Sequence, residues 1–344
     1  MPAEQPLYAI GVDIGATKIA AALVGRDGQV LSSRQALTQV EQGTPAMLER
    51  IAGEINALLR ESAGLAQPLP LKGIGIGTPG KVIAAQGLVL NAINMGWERL
   101  NLVDEVRARL AVDLPVWIEK DANASALGEY YYGAARGCEH FVYLGVGSGL
   151  GCGLLVDGRL VTGFNGKAGE AGHISLDPQG LLCACGQRGC AETLASGPGL
   201  VNAARRILEQ RRSAASRTVT GGLRPAPLKP GRLKTGPLLT AAGILAAAQE
   251  GDGVALAALE AVGRALGVVA AACVALLNPQ RIVIGGGLGV AAFKYLEPAL
   301  WAELEQRTLA ICREGLELAP SQLASPAVGA ACLAWYGGGS GTAA

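Results

Sequence analysis

From Leu7 the chain reads LYAIGVDIGATKIAAALVGRDGQVL. An apolar run breaks at a glycine-rich stretch, a second apolar run follows, and an Asp-Gly turn leads into a third. That order predicts strand, glycine turn, strand, reverse turn, strand. At residue 141 the pattern returns as FVYLGVGSGLGCGLLVDGRLV. Gly15 precedes Asp27-Gly28 by about the distance that separates Gly147 from Asp157-Gly158. The echo predicts two related α/β halves, each opening on a β-hairpin whose turn is rich in glycine.

Between and after the two hairpins the periodicity changes. Residues 45–63 place Met47, Leu48, Ile51, Ile55, Leu58 and Leu59 on one helical side. GIGIGTPG (73–80) predicts a buried strand ending in a turn, 102–110 a short helix, and PVWIEKD (115–121) another strand. ANASALGEYYYGAA predicts a helix packed by small residues. Residues 239–277 predict two helical stretches, RIVIGGGL (281–288) a buried strand with a glycine turn, and 326–336 a closing helix. The longest apolar run, GVVAAACVALL (267–277), falls short of the ~20 residues that span a bilayer and predicts a buried helix.

Composition narrows the function classes. A length of 344 residues sets a prior of about two domains. With 50 glycines and only three phenylalanines, the core is packed by Ala, Leu and Val rather than rings. The net charge of +1 supplies no global field for nucleic acid or an anionic membrane. The start, MPAEQPLYAIGVDIG, lacks a basic stretch followed by an apolar core, so no secretory signal is expected and the location expected is cytoplasmic. Residues 205–236 depart from the rest. Within 205–234 lie nine Lys/Arg, one acid and Pro225, Pro227 and Pro230. A basic nucleic-acid arm is one reading. A mobile solvated insertion is the other and is preferred, because no aromatics are interleaved.

Five of the eight cysteines, Cys138, Cys152, Cys273, Cys312 and Cys332, sit in apolar or small-residue contexts, where a thiol behaves as a small hydrophobe. The other three, Cys183, Cys185 and Cys190, cluster in CACGQRGC, downstream of His173 in GEAGH. A structural disulfide is disfavoured without a secretory signal, and no C-x-x-C redox pair is present. Three Cys and one His form a standard closed zinc set, with Gly180, Gly186 and Gly189 letting the backbone wrap tightly. His140, the other histidine, opens an apolar strand and is expected to be a partly buried structural residue.

Each glycine hairpin can form an anion nest from backbone N–H groups, Thr17 adding a hydroxyl in DIGATK. Taken singly, each is also an ordinary hairpin turn. Neither matches a P-loop, nor the dinucleotide-binding G-x-G-x-x-G that leads into a helix. Asp121, likewise, has a plain reading as a helix N-cap.

The motifs DIGATK, GIGTPG, EKDANASALGE, GVGSGLG, GEAGH, CACGQRGCAE and VIGGG occur in one order that resembles the ROK sugar kinases, a group that also contains repressors. The resemblance runs from about residue 7 to 336, the basic insertion excepted. It implies an α/β, two-domain actin-like or ribonuclease H-like ATPase fold with a central cleft. Residues 1–117 plus 326–344 would form the first domain and 118–325 the second. It further implies an ATP-dependent hexose kinase that phosphorylates the 6-hydroxyl of a hexose, most readily glucose, with Asp121 as general base.

By the same resemblance Asp13 orients Mg²⁺ through water. Nucleotide contacts fall on Asp13, Gly15, Ala16, Thr17 and Lys18, on Gly145, Gly147, Ser148, Gly149 and Gly151, and on Gly285, Gly286 and Gly287. Sugar contacts fall on Gly80, Asn94, Lys120, Asp121, Glu170, His173 and Glu192. A structural Zn²⁺ on His173, Cys183, Cys185 and Cys190 locks the loop that aims His173 and Glu192. Its loss is therefore expected to weaken sugar binding while sparing the nucleotide contacts at Gly15–Lys18.

One residue departs from the pattern. These kinases usually carry Asn before the catalytic aspartate, and here stands Lys120, which donates but cannot accept and whose charge would depress the pKa of Asp121. The alternatives are a kinase for N-acetylmannosamine or another hexose, and a non-catalytic or weakly catalytic sugar sensor. Regulators of the group carry a helix-turn-helix ahead of the first strand, and with six residues before Leu7 none is expected. The partners expected are a hexose and further copies of the chain, as a homodimer or homotetramer, with no nucleic acid and no membrane.

Overall fold

The computed structural model describes residues 7–64, 69–218 and 239–336. Strands β1 (Tyr8–Ile14), β2 (Lys18–Gly25) and β3 (Val30–Leu37) run antiparallel in sequence, followed by helix α1 (Gly43–Ala63). β4 (Leu71–Thr78) pairs parallel with β1. β5 (Lys81–Ile83), β6 (Leu88–Ala92) and β7 (Trp97–Asn101) make a separate antiparallel meander. After α2 (Leu102–Arg107), β8 (Val116–Lys120) pairs parallel with β4 and runs straight into α3 (Asp121–Tyr132).

The second half repeats the scheme. β9 (Phe141–Val146), β10 (Leu150–Val156) and β11 (Arg159–Leu160) are followed by α4 (Gly197–Thr218), α5 (Ala241–Gln249) and α6 (Gly253–Leu277). Then come β12 (Arg281–Gly285), α7 (Gly287–Arg307), β13 (Glu317–Pro320) and α8 (Pro326–Tyr336). The sheet orders are β3-β2-β1-β4-β8 and β11-β10-β9-β12-β13. The echo seen in the glycine hairpins is therefore an echo of topology: each sheet holds a three-stranded antiparallel meander with two later strands added beside its first.

The chain divides into two compact units. One takes the residues up to Tyr143, Cys152–Gly169 and the stretch from Ser321 onward; the other takes Leu144–Gly151 and Glu170–Pro320. In the first unit, side chains alternate across the strands. Ile10, Val12, Ile14, Ile74 and Ile76 point to one face and pack with Met47, Ile51, Ile55 and Leu58 of α1. The opposite face carries Ala9, Gly11 and Gly75, and α8 lies on it through Ala327, Val328 and Ala331. A Cβ at Gly11 would overlap the Ala327 carbonyl and one at Gly75 the Ala330 carbonyl. Small residues thus let a helix seat directly on the strand backbone.

In the second unit α6 packs against α4, α5 and α7. It contains GVVAAACVALL and is long and apolar enough to cross a membrane, but most of it is buried inside the fold. Four stretches differ from the sequence expectation. The β5–β7 meander, α7 and β13 occupy segments with no expected element. Residues 205–218, expected to belong to a mobile insertion, extend α4 instead. Leu200, Ala203 and Ala204 are buried there and Ile207 is half-buried, the spacing of one helical face, while Arg205 and Arg206 point outward. The remainder, 219–236, lies outside the described residues.

Candidate active site

In the first unit two carboxylates meet at the C-terminal ends of parallel strands, the edge where open α/β sheets bind ligands. Asp13 ends β1 beside Gly77 of β4, and Asp121 follows β8 directly. Gly77 separates them: a Cβ there would sit 3.5 Å from Asp121 Cα and 3.6 Å from Asp13 Oδ1. Asp121 Oδ1 accepts the Ala122 N–H at 2.7 Å, which fixes the carboxylate at the first turn of α3. Burial, and then the negative charge of Asp121, push the Asp13 carboxyl up to about 7, with Lys18 offsetting part of the rise. The rise reports two acids whose negative charges oppose one another, and a hard divalent cation would relieve that repulsion and favour the ionised, ligating form of both.

The first glycine turn flanks them. The Gly15 N–H donates to the Lys18 carbonyl at 2.9 Å, and the Thr38 hydroxyl donates to the Gly15 carbonyl at 2.6 Å. Thr17 and Lys18 are exposed and Ala16 is half-buried. Gly80, with φ +97°, packs 2.8 Å (as an added Cβ) from Ala92 at the end of β6. The 3-10 turn Ile93–Met95 follows and presents Asn94 to solvent.

Lys120 does not extend freely. Its Nζ donates to the Ala168 and Gly169 carbonyls at 3.1 and 2.9 Å. Gly169 has φ +77°, and the Cys152 carbonyl lies 2.7 Å from where its Cβ would stand, so only glycine fits. The lysine therefore ties down the loop that leads into Glu170.

In the second unit the hairpin GVGSGLG joins β9 to β10, the Gly147 N–H donating to the Gly149 carbonyl at 2.9 Å. Gly145 lies in β9, Gly151 in β10, and Ser148 is exposed at the tip. Neither Gly147 nor Gly149 is left-handed, and nor is Gly15, so a positive φ is not what these turns require. At Gly149 a Cβ would meet Glu192 Oε2, so a larger residue there would displace that carboxylate. Gly286 (φ +75°) caps α7 between Gly285 and Gly287, and it presses on the Val146 backbone too closely for any Cβ. The β12–α7 turn thus abuts the end of β9.

The Cys₃His group converges in the same unit. One ligand atom from each of His173, Cys183, Cys185 and Cys190 lies within 4.8 Å of the others. Cys185 and Cys190 Sγ are 3.6 Å apart, and Cys183 Sγ is 3.8 Å from His173 Nδ1. A tetrahedral ion with ~2.3 Å metal–sulfur bonds needs edges of about 3.8 Å, and the two short separations are compatible with such an ion. Gly186 (φ +90°) and Gly189 (φ +67°) make the turns, the latter against the Asp177 carbonyl; Gly180 is not left-handed. The second imidazole nitrogen, Nε2, faces Glu170 Oε2 at 3.9 Å. His140 lies apart from this group, half-buried just before β9 with Nε2 3.5 Å from Asp157 Oδ1.

The family model for the ROK family matches residues 9–336. The chain belongs to the ROK family. Among ROK proteins, the glucokinase of Thermotoga maritima is 35% identical over 286 residues, 83% of either chain. The xylose repressor of Caldicellulosiruptor bescii is 30% identical over 94% of this chain and 77% of its own. A ROK glucokinase from Streptomyces griseus, solved with glucose and AMPPNP, superposes with a TM-score of 0.75 at 32% identity, covering 95% of this chain and 98% of that one. The fold is the two-domain actin-like ATPase fold of the ROK kinases.

Two features of this ROK chain had no signal in its sequence. Glu192 reaches 42 positions back to the hairpin, its Oε2 accepting the Leu150 N–H at 2.9 Å. Glu119, buried next to the site, accepts from the Lys120 N–H at 2.8 Å and Asn123 Nδ2 at 3.0 Å, and burial raises its carboxyl pKa. Glu192 meets its partner only on folding, whereas Glu119 bonds its own chain neighbours and is set apart by its burial.

Proposed function

We propose that this chain is an ATP-dependent hexose kinase that phosphorylates the 6-hydroxyl of glucose or a close relative. The observation that carries the reading is the pair Asp13 and Asp121, set around Gly77 at the strand ends beside the Gly15–Lys18 turn. Asp121 accepts the proton of the sugar hydroxyl as that oxygen bonds to the γ-phosphorus; the bond from phosphorus to the bridging oxygen breaks, and ADP leaves. Asp13 is the residue to hold Mg²⁺ through water; when bound, the ion neutralises charge on the phosphates. Gly15–Lys18 of the first unit, and Gly145–Gly151 with Gly285–Gly287 of the second, are assigned to the nucleotide. Gly80, Asn94 and Asp121 of the first unit, and Glu170, His173 and Glu192 of the second, are assigned to the sugar. His173, Cys183, Cys185 and Cys190 are assigned to a structural Zn²⁺. A cytoplasmic location and a homodimer or homotetramer complete the reading, and the domain limits proposed remain near 117 and 326.

A second reading is a sugar-responsive regulator that binds hexose without turnover. The repressors among its relatives support it, and so does Lys120 in place of Asn. ADP release measured over a panel of hexoses separates the two. Turnover is expected, falling by ~10²-fold or more in Asp121→Asn, because the amide keeps the shape but cannot take the proton. No release with any hexose would favour the regulator; an Asp121→Asn variant keeping more than about a tenth of kcat would remove the base role.

A further inference from the structure

Three contacts join the Cys₃His segment to the second glycine hairpin, and sugar binding explains none of them. Glu192, two residues past Cys190, accepts the Leu150 N–H. The Gly197 N–H, at the start of α4, donates to the Gly147 carbonyl at 2.8 Å. Gly172, next to His173, lies against the Leu150 carbonyl with no room for a Cβ. The segment is itself cross-braced: the Ala191 N–H donates to the Ile174 carbonyl at 2.8 Å, and the Leu176 N–H to the Gly189 carbonyl at 2.8 Å.

We infer that Glu192 is a positioning residue for the nucleotide: it clamps the GVGSGLG hairpin through Leu150, so occupancy of the Cys₃His site sets nucleotide affinity as well as sugar affinity. The inference rests on the kinase reading, in which that hairpin holds phosphates. A glycine-rich turn pays a large ordering entropy when it closes on a ligand, and pre-ordering it removes that cost from binding. The carboxylate–amide bond is charge-assisted and therefore among the stronger ones available for this purpose. Gly149 completes the arrangement, because its missing Cβ is what allows Glu192 to reach the strand. Glu192 Oε1 stands 4.0 Å from Cys183 Sγ, so the carboxylate also spans the distance from the ligand set to the hairpin. The expectation that losing the metal spares the nucleotide contacts at Gly15–Lys18, which lie in the other unit, does not extend to this hairpin.

The test is equilibrium binding of ADP to the full chain, with zinc content and far-ultraviolet circular dichroism on each sample. The proteins are the wild type, zinc-loaded and chelated, and zinc-loaded Glu192→Gln, Glu192→Ala and Glu192→Met. Ala and Met remove the acceptor, Met at similar length, and should bind ADP about ten-fold more weakly with the metal still present. Gln keeps an acceptor oxygen for Leu150 but loses the charge, and should bind ADP more weakly than wild type and more tightly than Met of similar length, an order that a general loss of packing would not give. Chelated wild type should match Ala. Ala and Met variants binding ADP like wild type, or chelation leaving ADP affinity unchanged, would overturn the clamp and leave the kinase reading standing. Zinc-loaded wild type that binds no ADP would overturn both.

Discussion

Asp13 shows how far a single residue's chemistry depends on what folding brings to it. In the sequence it is an aspartate on an apolar strand; in the fold, burial and Asp121 hold its carboxyl near 7 instead of 3.8. The consequence for stability has a definite sign. Between about pH 4 and 7 the folded chain keeps a proton that the unfolded chain has released, so this group's contribution is fully present at low pH and is lost as pH rises through 7. For the nucleotide-free protein the stability of wild type relative to Asp13→Asn should fall by about 2 kcal/mol between pH 5 and 8. Urea midpoints at the two pH values check this; parallel pH profiles for the two proteins would mean that Asp13 ionises normally. Lys120 shows the converse. The resemblance to the kinases puts it among the sugar contacts, and in the fold its ammonium donates to two carbonyls of the loop before Glu170.

Elements were legible where periodicity was clean. The two hairpins, α1, β4, β8, α3, α6 and α8 follow the apolar pattern, and Asp157-Gly158 forms the left-handed pair typical of a tight hairpin turn (φ 52° and 67°). β5–β7 were not legible, because three- and five-residue strands are too short to establish a period. α7 was hidden by Pro298 within it and by apolar residues spread around its circumference. What the alternation in β1 and β4 did not reveal was the purpose of its glycines. Gly75→Ala should destabilise the chain by at least about 1–3 kcal/mol, since the new Cβ meets the backbone carbonyl of Ala330 and α8 must shift. Gly53→Ala, exposed in α1 with nothing within 4 Å of its Cβ, should stabilise by up to about 1 kcal/mol. Denaturation of the two variants side by side reads both signs, and a neutral Gly75→Ala would mean that α8 is not seated on the strand backbone.

At the scale of the whole molecule, the repeated hairpin goes with a repeated sheet order, the later strands of each sheet lying beside its first strand. The Cys₃His segment stands outside that repeat and is held differently. Between residues 170 and 193 little core is available: Leu182 is 65% exposed, Leu181 42% and Ile174 40%, while the buried side chains are Cys183, Cys190, Ala171 and Ala191. The β3-β2-β1-β4-β8 sheet, in contrast, contributes to a continuous buried cluster that includes Ile10 and Ile118. On the proposed reading a metal bound there would supply ordering that burial does not, and its binding energy would be conformational energy of this segment. One Zn²⁺ per chain is expected, and at about 1,000 times its Kd the ion adds ~4 kcal/mol to stability. Chelation should lower the thermal midpoint by several degrees, and Cys185→Ser should do the same without a chelator. Amide exchange should rise first at 172–193 and in the hairpin at 147–150, while β1 and β4 keep their protection. A zinc-free chain with an unchanged midpoint and unchanged exchange across 172–193 would show that hydrogen bonds alone hold the segment, and the four ligands would then have no structural role to explain their convergence.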